Sequence, residues 1–116
     1  MICIADTRED NRSNFRSKFE NLMKFVILGF DAPDGAEKRK THRPAHLAKM
    51  DALDSQQRVI LAGRLTDGTG SLIVISADSL AEAETVAKED PYTVHGVFER
   101  IEVHPFSQVF PKDSAP

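Results

Sequence analysis

The chain has 116 residues, 41% hydrophobic and 28% charged, with a formal net charge of −3. Those figures describe one globular domain with a modest core and leave no room for two. The acidic balance argues against a nucleic-acid partner, which needs a basic stripe for its phosphates, and no apolar run reaches the roughly 18 residues of a membrane span.

Residues 1–22 balance Arg8, Arg12, Arg16 and Lys18 against Asp6, Glu9, Asp10 and Glu20. Between Thr7 and Asn21 the only large apolar groups are Phe15 and Phe19. Ordering such a stretch gains little against its entropy. It reads as an N-terminal extension, disordered or preceding a true start at Met23, with a folded domain over 23–110 and a loose tail over 111–116. Residues 1–5 are too few for a signal-peptide core, and Asp6 follows at once. The single cysteine, Cys3, permits no intramolecular disulfide, which fits a reducing compartment. The expected location is the cytoplasm.

From Met23 the character changes. Residues 25–30 are aromatic and β-branched, a central strand, and Asp31-Ala32-Pro33-Asp34-Gly35 is a turn. The polar residues 36–43 read as a connection with at most a short helical turn. In it, Lys38-Arg39-Lys40 is either a solvated turn or a site for an anion. Pro44 suits the first position of a helix over about 44–57, because its missing N–H is no loss there. Residues 58–65 and 71–76 are strands joined across Thr66-Asp67-Gly68-Thr69-Gly70 as an antiparallel hairpin. Ser79-Leu80-Ala81-Glu82 is a capping box opening a helix to about Glu89. Asp90-Pro91 repeats the cap-then-proline pattern. Residues 98–103 alternate as a half-buried strand, which Pro105-Phe106 should break.

The order β-α-β-β-α-β is the α+β, ferredoxin-like arrangement: a four-stranded antiparallel sheet with both helices on one face. Its other face invites a partner, and a homodimer through that open face is the expected remedy.

The segments Arg43-Pro44-Ala45-His46-Leu47, Ala62-Gly63-Arg64-Leu65, Asp90-Pro91-Tyr92, Gly96-Val97-Phe98 and Val103-His104-Pro105-Phe106, with Phe30-Asp31, closely resemble the YCII-related family. The resemblance runs from about Met23 to Phe110. It implies a dimeric α/β barrel and a pocket whose catalytic pair maps onto His46 and Asp31. It also implies elimination or isomerisation as the chemistry.

The residues support a site by themselves. With Pro44 at the first helical position, His46 falls in the first turn. There the helix dipole favours neutral imidazole, while a contact from Asp31 would favour the charged form. Opposed pulls suit a general acid or base. Asp31 is otherwise a turn-starting residue, and His46 otherwise a local hydrogen-bonding one. Three substrate-binding candidates remain: Asp90, whose cap role alone explains it, Tyr92, which packing alone explains, and Arg64, on a strand. His42 and His46 have i, i+4 spacing, but a helix starting at Pro44 leaves His42 outside it, and no cysteine cluster accompanies them. No metal and no cofactor are expected. Two functions stand: a small enzyme moving a proton between His46 and a small molecule, and a non-catalytic dimeric module that binds a metabolite or a partner chain.

Overall fold

The structure, a computed structural model, describes residues 23–112. In β1 (Met23–Asp31), Phe25, Ile27 and Gly29 are buried, and Val26, Leu28 and Phe30 between them are half-buried. Alternate side chains of a strand point to opposite faces, so the buried set marks the core side. The chain turns into α1 (Gly35–Ser55) and then forms the hairpin of β2 (Val59–Arg64) and β3 (Gly70–Ala77), in which Arg64 lies opposite Ser71. Then come α2 (Leu80–Glu89), the single turn α3 (Pro91–Val94) and β4 (Phe98–Phe106).

The sheet order is β2-β3-β1-β4, with β4 antiparallel to β1 and β2 antiparallel to β3. This is the expected ferredoxin-like arrangement, with α3 added between α2 and β4. Lys24–Phe106 forms one compact unit. Its core joins Phe25, Ile27, Ile73, Ile75 and Ala77 of the sheet to Ala83 and Ala87 of α2. Tyr92, Val97 and Phe98 make a second cluster. Gly29 permits it, since a Cβ there would lie 2.5 Å from the Phe98 ring. Val26, Leu28 and Phe30 point to the sheet face expected to meet a second copy. Among the described residues, no helix is long and apolar enough to cross a membrane.

Two expectations fail. The first helix begins at Gly35, not at Pro44, and Pro44 lies inside it. The polar residues 36–43 support that extra length through the i, i+4 pair Lys38–Asp34 at 3.2 Å and the i, i+3 pair Lys40–Glu37 at 3.0 Å. Arg39 adds an inward anchor on Asp31. A proline nitrogen carries no hydrogen, so the Lys40 carbonyl lacks the amide it would otherwise meet one turn on. His46 therefore sits in mid-helix, where the argument from the dipole of a first turn does not apply. The second failure is β4, which runs through Pro105 to Phe106, with Pro105 opposite Phe25. β4 is an edge strand, and an edge tolerates the missing donor. The capping box holds in part: Ser79 Oγ accepts from Glu82 N at 3.1 Å, but the Glu82 carboxylate accepts from Asp78 N. Expectations about residues 1–22 and 113–116 lie outside the described residues.

The continuous helix has a measurable consequence. Pro44→Ala is expected to raise the unfolding free energy by about 2 kcal/mol, the interior penalty less the entropy that proline removes from the unfolded chain. Urea denaturation reads this directly. A helix that began at Pro44 would instead lose stability on the change.

Candidate active site

The site is built on the joint between α2 and α3. Asp90 has extended backbone (φ −60, ψ 131), so its side chain folds back over the next turn, and Oδ1 accepts from Tyr92 N at 2.8 Å. Pro91 follows with its φ already helical. The same Asp90 oxygen meets His46 Nδ1 at 2.8 Å. An ionised carboxylate only accepts, so with Asp90 ionised the proton of this bond sits on Nδ1, and in the neutral ring Nε2 keeps its lone pair. The Tyr92 ring stacks on the imidazole with centroids 4.0 Å apart and planes 6° from parallel. Only 12% of the His46 side chain and 8% of the Asp90 side chain are exposed. Hydrogen bond and stack together leave the imidazole little rotational freedom.

A second pair flanks Tyr92. Arg39 Nε donates to Asp31 Oδ2 and Nη2 to Asp31 Oδ1, both at 2.8 Å, and Nη2 also reaches Ser71 Oγ at 3.0 Å. This is the two-pronged geometry that makes arginine–carboxylate pairs strong. The hydrogen bond to Asp31 raises the Arg39 pKa above its ordinary value, against an opposing effect of burial. The guanidinium carbon lies 5.0 Å from the Tyr92 ring centre and 5.8 Å from that of Phe98.

Both arrangements border a cavity of about 500 Å³ between α1 and the β2–β3 hairpin, with Tyr92 in its wall. From α1 the lining side chains include Arg39, Arg43, His46, Met50 and Asp54, which recur at helical spacing along one face. The strands contribute apolar groups such as Leu61 and Ile73, and Arg64 at the end of β2.

Of the residues singled out from sequence, His46, Tyr92 and Arg64 line this cavity. Asp90 holds His46. Asp31 is engaged by Arg39, so the expected Asp31–His46 contact is replaced by Asp90–His46. His42 is on α1 after all, but its ring stacks on His95 at 4.0 Å and does not pair with His46. Ser71 is not singled out from sequence. Arg43 enters only as part of a motif, and Arg39 only within Lys38-Arg39-Lys40. That stretch is neither a turn nor, at Arg39, an open anion site: it is part of α1, and Arg39 pairs with Asp31. The signal was the spacing 39, 43, 46, 50, 54, visible only if the helix is carried back through Pro44.

Comparison with known proteins places these residues in context. The family model of the YCII-related domain matches residues 23–107. Protein YciI of Escherichia coli is 37% identical over 98 residues, covering 76% of this chain and all of that protein. An uncharacterised protein of Haemophilus influenzae is 34% identical with the same coverage. Among solved structures, the 5-chloro-2-hydroxyhydroquinone dehydrochlorinase of Burkholderia phenoliruptrix, in complex with 2,5-dihydroxybenzoquinone, is similar with a TM-score of 0.67. It is 26% identical, and the match covers 74% of this chain and 95% of that one.

Proposed function

This chain belongs to the YCII-related domain family, and from that premise we propose that it is an enzyme in which His46, oriented by Asp90, moves a proton on a small molecule in the cavity. The observation that carries this reading is the 2.8 Å bond between His46 Nδ1 and Asp90 Oδ1, which reserves Nε2 for a ligand. The structurally similar dehydrochlorinase supports elimination as the reaction class.

In an elimination, Nε2 takes a proton from the substrate, the freed electron pair becomes a new double bond, and the leaving group departs with its bonding electrons. The imidazolium is stabilised by Asp90 while it exists, and it then returns its proton to solvent or to the leaving group. Isomerisation uses the same first step and returns the proton to a different atom. Neither requires an oxidant or a reductant. The Tyr92 stack fixes the plane of the ring, and with it the in-plane direction of the Nε2 lone pair, while Arg39, held by Asp31, packs over Tyr92.

The test uses 5-chloro-2-hydroxyhydroquinone, the compound named for the relative. Chloride release should fall by about 10²–10⁴-fold in His46→Gln, the usual contribution of a positioned general base. Equal rates for both proteins would overturn the reading. Binding without turnover by the wild type would favour the non-catalytic module.

A further inference from the structure

Two arginines in the cavity wall have no acidic partner among the described residues. Arg43 precedes His46 by three residues on α1, and Arg64 closes β2 opposite Ser71, the residue that Arg39 touches. Both line the cavity and both are exposed. Among the described residues, neither forms an ion pair or a side-chain hydrogen bond. Arg39 differs, because Asp31 already compensates its charge.

Asp51 and Asp54 line the same cavity but lie further along α1. At 1.5 Å per residue they are about 12 and 16 Å from Arg43 along the helix axis, too far to neutralise it. The cavity is therefore sorted by charge. Arg43 and Arg64 mark one end, the two aspartates the other, and Leu47, Leu61 and Ile73 lie in the same wall. Residues three apart on a helix have Cβ atoms about 5–6 Å apart, so a group held by Arg43 sits within a small molecule's length of the His46 ring.

Resting on the function proposed above, we propose that the substrate is a small unsaturated molecule bearing a carboxylate, which Arg43 and Arg64 bind while its carbon skeleton lies along the apolar wall towards His46. The planar guanidinium fork fits a carboxylate edge-on with two hydrogen bonds. Two such forks without internal partners constitute a site for one anionic head. The apolar wall suits the skeleton rather than a second charge.

Two probes that differ only by the carboxylate test this: 2,5-dihydroxybenzoate and hydroquinone, titrated calorimetrically at low salt. The carboxylate-bearing probe should bind about tenfold tighter, a modest preference because both arginines are exposed. Added salt should erode the preference. Arg43→Gln and Arg64→Gln should each reduce it, and the double variant should abolish it. His46→Gln should retain it, which separates the two claims: turnover lost with the preference intact supports both, and turnover unchanged with the preference intact removes only the proposed chemistry. Equal affinity for the two probes, failure of 2,5-dihydroxybenzoate to bind, or a preference that survives the double arginine change would overturn the inference.

Discussion

Truncating Arg39 to Ala should destabilise the domain by about 3–5 kcal/mol, because it strands the Asp31 carboxylate, whose side chain is only 10% exposed, without its partner. The guanidinium also packs over Tyr92 and Phe98, so the loss reaches the second core cluster. Removing both partners, as Arg39→Leu with Asp31→Leu, should cost far less than the two single changes added together, since no unpaired charge remains. Urea denaturation midpoints at constant slope give the comparison. The raised Arg39 pKa works in the same direction: stability from this cation is fully present below its unfolded pKa and is lost only at strongly alkaline pH, so the pair is intact at neutral pH. A double variant as unstable as the sum of the singles would mean that the pair is not the source of the effect.

Asp90 carries two bonds on one oxygen, and substitution should separate them. Asp90→Ala removes the cap of α3 and leaves both Tyr92 N and His46 Nδ1 without an acceptor in a nearly buried position. The expected loss is about 2–4 kcal/mol, from a lost cap and a buried donor left unpaired. Asp90→Ser should recover much of that stability, because serine caps about as well as aspartate. Its hydroxyl is too short to reach the imidazole, so turnover should stay as low as in His46→Gln. If the serine variant regained activity along with stability, Asp90 would be a cap and nothing more.

These two variants mark where local pattern ended. The strands, the hairpin and the Ser79 and Asp90 caps follow from aromatic and β-branched runs, from the alternation over residues 98–103, and from turn and cap chemistry, all of which act within a few residues. The first half of α1 is different. A proline after a polar run carries the local signature of a helix start. The buried reach of Arg39 to Asp31 supports the helix on the far side of it, with small additions from the exposed pairs at Lys38 and Lys40. That single misplacement hid the face shared by Arg39, Arg43 and His46. It also set His46 in a first turn that it does not occupy.

The partner of His46 posed a separate problem. Asp31 and Asp90 are both acidic residues at the ends of elements, and each has an adequate local role. Which of them meets the ring depends on how α3 packs against α1 and on Arg39 taking Asp31. Sequence spacing records neither. Asp90 was the harder to see because capping already explained it.

The central claim is that Asp90 presents His46 with its proton on Nδ1 and a bare Nε2. The ¹⁵N shifts of the His46 imidazole, recorded for the neutral ring in wild type and in Asp90→Ser, test it most directly. The wild type should show a protonated Nδ1 and an unprotonated Nε2, and that pattern should weaken or reverse in the serine variant. A wild-type ring protonated on Nε2, or the same pattern in both proteins, would contradict the account.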